Sequence, residues 1–191
     1  MYCTSYESEL IGKLILASEG ESLVGCWFEN DRFFGYGVDA PMERRDDLPV
    51  FEKTRDWLDR YFAGKAPSPQ ELPLAPRGSE FQRRVWSILT EIPYGQTITY
   101  GDIAKRIASE TGGKMSAQAV GGAVGRNPIC VIVPCHRVMG AKGNLTGFGG
   151  GVDTKVALLE HEQVDMTSFF RPKKGTALEG RPNAAASFAS A

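Results

Sequence analysis

Four prolines fall within the twelve residues KAPSPQELPLAP, Lys65 to Pro76. Proline lacks a backbone N–H and fixes φ, so neither a central strand nor a helix interior runs through such a stretch. The stretch reads as a linker, the domain boundary is placed there, and the two sides carry different patterns.

Before the break, GKLILASE and SLVGCWFE are short β-rich runs separated by Gly20 and Glu21, and residues up to about Gly37 read as strands. PVFEKTRDWLDRYFAG then changes period. Phe51, Thr54, Trp57, Leu58, Tyr61 and Phe62 recur at helical spacing, with Pro49 near the start and Gly64 after the end. Strands followed by a helix predict a small α+β unit over residues 1–75, with the proline-rich linker at its end.

After the break the pattern is helical. Ser79 and Gln82 stand at capping-box spacing ahead of an apolar stripe of Phe81, Val85, Ile88 and Leu89. Thr99 is placed to cap a second helix whose Ile103, Ala104, Ile107 and Ala108 face inward. TGGKM interrupts, and Ser116 can cap AQAVGGAVG, so that helix, short break and short helix outline a helix-turn-helix. The last of these is poor in bulk: Ala117, Ala119, Gly121, Gly122, Ala123 and Gly125 accept a cost of about 1 kcal/mol per glycine relative to alanine. Tight packing on a neighbouring helix or close approach of a nucleic-acid strand would each account for it. From Pro172 onward small residues without a period predict a disordered tail over 172–191.

Charge separates the same two halves. The net charge of −1 combines 8 Lys/Arg against 14 Asp/Glu from Met1 to Pro76 with 13 against 8 from Arg77 to Lys174. A polyanion site is therefore to be sought in the second half. Met1 to Gly20 mixes Glu7, Glu9, Lys13 and Glu19 into its apolar positions, which fits neither a secretory signal nor a membrane span. The expected location is cytoplasmic, or nuclear in a eukaryote, with no membrane partner. Cys3, Cys26, Cys130 and Cys135 are then expected reduced. No C-x-x-C occurs and His136 and His161 lack zinc-ligand spacing, so no metal site is expected.

The stretch NPICVIVPCHRVMG, Asn127 to Gly140, holds the chemistry-bearing residues. CVIV predicts a buried strand that Pro134 ends, leaving Cys135 on a turn. Neighbouring side chains of an extended segment point to opposite faces, so His136 would take the thiol proton through a bridging water. VDTKVALLEHE predicts a helix with Asp153 as cap and Val156, Leu158 and Leu159 apolar. Glu162 falls on that apolar side, where a carboxylate needs a partner. Two readings stand at this level. One is a relay of Cys135, water, His136 and Glu162; the other is a buried structural cysteine, an exposed histidine and a glutamate bound to some arginine.

FQRRVWSILTEIPYG, TYGDIAKRI, AVGGAVGRNP, VPCHRV, TGFGGG and KVALLEHE, in this order and spacing, closely resemble the O6-alkylguanine-DNA alkyltransferase family. The resemblance covers roughly Ser79 to Glu162, and Met1 to about Gly64 fits the family's variable N-terminal domain. It implies an α+β protein: a small ribonuclease H-like sheet-and-helix domain, then over 76–171 a mainly helical domain with a helix-turn-helix. It implies direct, irreversible transfer of an alkyl group from guanine O6 in duplex DNA to Cys135, with the base flipped out and the protein consumed. No cofactor is implied, and the protein would act as a monomer, with cooperative binding along DNA left open.

The same resemblance implies residue roles. His136 is the water-mediated base and Glu162 its orienter. Tyr100 contacts the flipped base and helps protonate the departing guanine, and Asn127 joins the recognition-helix turn to the active-site loop. The main-chain carbonyls of Cys135 and Val138 would accept the guanine amino group, and the loop of Phe148, Gly149 and Gly150 would offer backbone N–H groups to O6. Ala117, Gln118, Ala119, Gly121, Gly122 and Arg126 would face the minor groove. Gln118 departs from the arginine with which many members fill the gap in the duplex, which predicts a weaker grip on DNA. Phe148 and Gly149 stand where tyrosine and serine occur in other members, and Cys130, where some have proline, is expected to be a packed structural thiol rather than a second acceptor. The alternative function is a non-catalytic protein that flags alkylated DNA; such proteins lack the acceptor cysteine.

Overall fold

The computed structural model describes residues 1–172; Pro172 apart, the stretch expected to be disordered lies outside them. The N-terminal sheet has the order β3-β2-β1-β4, built from β1 Tyr2–Ser8, β2 Gly12–Ser18, β3 Leu23–Phe28 and the two-residue β4 Glu43–Arg44. The first three strands pair antiparallel, Tyr2 opposite Ser18 and Leu14 opposite Phe28, with a bulge between β2 and β3 at Ala17 and Ser18, and β4 joins β1 in parallel.

Residues 29–37, which read as a continuation of the strands, form turns instead. Asp31 Oδ1 accepts the Phe33 N–H at 2.8 Å, and Gly35 and Gly37 take φ of 74° and 84°, which an extended ladder does not admit. The chain thus folds back over the sheet, where Phe34 packs on Trp27 at 5.6 Å between ring centroids.

Helix α1, Pro49–Phe62, buries Val50, Phe51, Thr54, Trp57, Leu58 and Tyr61, nearly the set its spacing predicts. The proline-rich linker is ordered and strapped to β3, since Leu23 N donates to Pro73 O at 2.8 Å and Ala75 N to Leu23 O at 2.9 Å.

In the second half the capping residues act as expected. Ser79 and Gln82 cap α2, Glu80–Leu89; Thr99 and Asp102 cap α3, Tyr100–Thr111; Ser116 accepts from Ala119 N at the start of α4, Ala117–Gly125. Gly112, at φ 66°, ends α3 and turns the chain into α4. Part of the small-residue pattern of α4 is packing: Val120, Ala123 and Val124 are buried, and Trp86 Nε1 donates to Ala123 O at 2.9 Å.

Strand β5, Ile98–Thr99, pairs in parallel with β6, Val138–Met139. Helix α5, Val152–His161, is not capped by Asp153, which lies in its first turn; the N-cap is Gly151, whose φ of 87° redirects the chain into the helix. A single buried apolar cluster runs from Leu14 and Leu16 through Trp57 and Trp86 to Leu158, joining the two halves. Each such side chain contributes about 1.5–3 kcal/mol on burial.

Candidate active site

The run CVIV is not a strand. Ile129 makes a one-residue bridge to Cys26 of β3, and residues 130–133 then form a folded turn. Val131 takes φ 70°, Ile132 N donates to Cys130 O at 2.9 Å and Val133 N to Ile129 O at 2.9 Å. A β-branched residue at positive φ is strained and persists only where its surroundings over-determine it. Asn127 does so: its Oδ1 accepts from Ile129 N at 3.1 Å and its Nδ2 donates to Val133 O at 2.7 Å, clamping both ends of the turn. The β-branched composition reflects full burial, which periodicity alone does not separate from a strand.

Beyond Pro134 the chain makes a single 3₁₀ turn, Cys135–Arg137, so Cys135 and His136 do not alternate along an extended segment as expected. Cys135 is 5% exposed and His136 fully buried. His136 Nε2 lies 2.7 Å from Glu162 Oε1, which removes the reading of an exposed histidine. Glu162 is also bound to an arginine, as the competing reading expected, because Arg137 Nε and Nη2 donate to its two oxygens at 2.8 and 2.9 Å. Tyr61 Oη at 2.7 Å and Gly95 N at 3.0 Å complete the ring of donors around this carboxylate.

These partners set protonation. Burial alone would push the Glu162 carboxyl up, but the hydrogen bond from His136 and the Arg137 guanidinium outweigh it and hold it well below the usual carboxylate range. Burial pushes the His136 imidazole down, opposed by Glu162. A neutral imidazole that donates from Nε2 to Glu162 keeps the lone pair of Nδ1, and His136 Nδ1 is buried with no protein partner. The Cys135 thiol is lowered by the neighbouring Cys130 thiol, and also by Asn127 and the Lys155 ammonium, against the effect of burial.

Lys155, Tyr61, Arg137 and Asp31 were not singled out from sequence. Lys155 is fully buried on α5, where its Nζ donates to Val138 O at 2.6 Å and Thr146 O at 3.2 Å. Its signal was available, since it precedes Leu158 by three residues and Leu159 by four and so shares their apolar stripe. Burial pulls its ammonium down to about 8. Tyr61 carried no such signal, because its place on α1 is that of a core aromatic.

A cavity of about 710 Å³ opens beside this cluster. Tyr100 and the loop 146–151 form one side, α4 another, and Asn30, Arg32 and Phe33 of the N-terminal half the third. Tyr100 Oη donates to the Thr146 and Gly147 carbonyls at 3.1 and 3.3 Å, and burial pushes its phenol up, so it remains a donor. Phe148 is buried, edge-on to Phe28 at 5.6 Å and to His136 at 6.5 Å. A Cβ at Gly149 would stand 2.7 Å from Asp31 Oδ1, and one at Gly150 would stand 2.7 Å from the Phe28 ring, so neither position accepts a side chain without displacement.

On α4, Ala117, Gln118 and Ala119 are exposed and Gly121 and Gly122 half-buried; all but Ala119 line the cavity. Arg126 donates to Gly122 O at 2.9 Å and lies 5.2 Å over the Phe33 ring. The Val138 carbonyl, already engaged by Lys155, and that of Cys135, which accepts the Val138 N–H, each keep one lone pair. No group of three or more metal-ligating side chains occurs among the described residues.

Comparison with known proteins agrees across the chain. Residues 1–76 match the family described as 6-O-methylguanine DNA methyltransferase, ribonuclease-like domain, and residues 80–164 match that described as its DNA binding domain. The chain is 42% identical over 164 residues to a methylated-DNA–protein-cysteine methyltransferase of Haemophilus influenzae, covering 86% of this chain and 87% of that one. It is 43% identical over 162 residues to the protein so named in Methanosarcina acetivorans, covering 85% and 98%. Among solved structures it resembles Mycobacterium tuberculosis OGT in complex with DNA, at TM-score 0.70 and 39% identity over 85% of this chain and 93% of that one.

Proposed function

The chain belongs to the 6-O-methylguanine DNA methyltransferase family, and from that premise we propose how its own residues perform the reaction. The protein binds DNA and repairs it as a methylated-DNA–protein-cysteine methyltransferase. The acceptor is Cys135, and the substrate is O6-alkylguanine in duplex DNA.

The guanine must leave the stack to meet a thiolate held in a protein interior, and unstacking costs a few kcal/mol, less for a poorly paired lesion. The cavity between α4 and the loop 146–151 receives it, with the exposed Ala117, Gln118 and Ala119 against the minor groove and Gln118 in the vacated stack. His136 Nδ1 takes the Cys135 proton through a water, and the imidazolium so formed is held by Glu162. The sulfur attacks the methyl carbon in line: the C–S bond forms, the C–O6 bond breaks, and its electron pair stays on the guanine, to which Tyr100 Oη hydrogen-bonds and relays a proton; the proton that His136 took from Cys135 restores the tyrosine hydroxyl and leaves the imidazole neutral. The thioether has no leaving group for a return step, so each molecule acts once. Every group named comes from one chain, and a monomer suffices.

The observation that carries this account is the contact of His136 Nε2 with Glu162 at 2.7 Å, which leaves Nδ1 as an unpartnered buried base beside a thiol of lowered proton affinity. Its test is incubation with excess duplex bearing O6-methylguanine labelled on the methyl group. One label per protein, mapped to Cys135 and absent from Cys135→Ala, is expected. Tight binding without label would make the protein a lesion flag, and repeated release of label would make it a hydrolase; either overturns the proposal.

A further inference from the structure

The N-terminal half forms the third wall of the cavity, and the transfer just described gives that wall no task. Its geometry begins at Asp31, a buried residue whose Oδ1 accepts the Phe33 N–H at 2.8 Å. This turn leaves Arg32 exposed between the buried Asp31 and the half-buried Phe33. Phe33 rests on α4, where a Cβ at Gly125 would stand 3.7 Å from its ring. The Arg32 guanidinium lies 5.4 Å from the centre of that ring, and the guanidinium of Arg126, just past the end of α4, lies 5.2 Å from it.

Charge singles this wall out. Of the side chains that line the cavity only Arg32 and Arg126 are charged, one from each half of the chain. Most arginines elsewhere hold a carboxylate, as Arg84 holds Glu110 and Arg106 holds Glu91, but among the described residues neither Arg32 nor Arg126 has such a partner. Arg126 directs one donor to Gly122 O at 2.9 Å, which leaves the rest of its fork for a ligand. Two guanidinium groups that share one ring without a counter-charge repel each other, and an anion placed against both is attracted by both. Helix α4 brings no charge of its own.

Resting on the reading that this cavity takes up the flipped guanine, we propose that Arg32 is a DNA-binding residue: together with Arg126 it holds the phosphate backbone of the damaged strand at the cavity mouth. A nucleotide rotated out of the stack carries its own phosphates to the rim of the pocket that its base enters. Arginine suits that contact, because its planar fork matches phosphate oxygens. The positive charge that Gln118 does not bring to α4 is supplied across the cavity, and the N-terminal half takes part in gripping DNA.

The test is single-turnover transfer from a labelled O6-methylguanine duplex with protein in excess, at several salt concentrations. Arg32→Ala should raise the half-saturating protein concentration about tenfold and make its dependence on log salt shallower by about 0.9, the value for one phosphate contact, while the limiting rate is kept. Arg32→Lys, which restores the charge, should recover the wild-type slope. An unchanged half-saturation in Arg32→Ala overturns the proposal, and so does a loss that keeps the wild-type salt slope, since lost packing on Phe33 alone would produce it. A wild type that takes up no label would instead overturn the acceptor reading, and direct titration with the same duplex would still read the slope that Arg32 contributes.

Discussion

Tyr61 and Glu162 are 101 residues apart in sequence and joined by a 2.7 Å hydrogen bond, Oη to Oε1. Helix α1 of the N-terminal half thereby holds the carboxylate that orients His136. Tyr61→Phe removes one donor from a buried anion that keeps His136, Arg137 and Gly95. It should cost about 1.5–3 kcal/mol in urea unfolding, the range for hydrogen bonds to charged groups, and slow the transfer. An unchanged unfolding midpoint would show that the contact contributes nothing.

Acid should destabilise the fold in two stages. Glu162 has its proton affinity depressed from an ordinary 4.5, so its stabilising contribution is present above that pH and lost as pH falls below it. His136 is depressed from an ordinary 6.5, so below that pH the unfolded chain takes up a proton that the folded imidazole resists. Stability measured by urea unfolding should decline below pH 6.5 and more steeply below 4.5. Glu162→Gln should abolish the lower stage and, by leaving the Arg137 guanidinium buried without its anion, cost about 3–5 kcal/mol at neutral pH. A lower stage that survives in this variant would assign it to other carboxylates.

Gly147 takes φ 82° and offers no room for a Cβ, which would collide with the Tyr100 hydroxyl. Gly147→Ala should displace Tyr100 from the loop and lower the transfer rate about tenfold through roughly 1–3 kcal/mol of strain. Affinity for undamaged duplex should not change, because the contact lies inside the cavity. A wild-type rate would show that the loop relaxes without Tyr100.

Lys155→Met keeps the bulk of the buried side chain but removes its charge and its bonds to Val138 O and Thr146 O. Cys135 loses the cation that favours its thiolate, so the acid midpoint of the transfer rate should rise. Rate profiles that superimpose would mean that Lys155 only ties the loop.

Gln118 is exposed on α4 and carries no charge. Gln118→Arg should tighten duplex binding and steepen the slope of log affinity against log salt by about 0.9, the value for one added phosphate contact. Equal slopes would place the added charge away from the backbone.

Much of the fold was legible because its signals are local. The capping pair of Ser79 with Gln82, the N-cap Thr99 and the helical period of α1 each act within a few residues, and each lies where its pattern places it. The ordered motifs from FQRRVWSILTEIPYG to KVALLEHE pointed to the same family that the comparisons show. At CVIV the β-branched residues mark burial rather than extension, and at Asp153 the chain is turned by Gly151 before that side chain can cap, so neither feature is legible locally.

By itself the sequence determined the helices, the capped starts of α2, α3 and α4, the family and the cysteine that stands in VPCHRV. Tertiary structure alone decided the surroundings of that cysteine: Tyr61 and Asp31 arrive from the N-terminal half, and Lys155 from α5, to meet residues as many as 101 positions away. Periodicity and capping report interactions along the chain, whereas the proton affinities of Cys135, His136 and Glu162 depend on burial and on charges brought close only by folding.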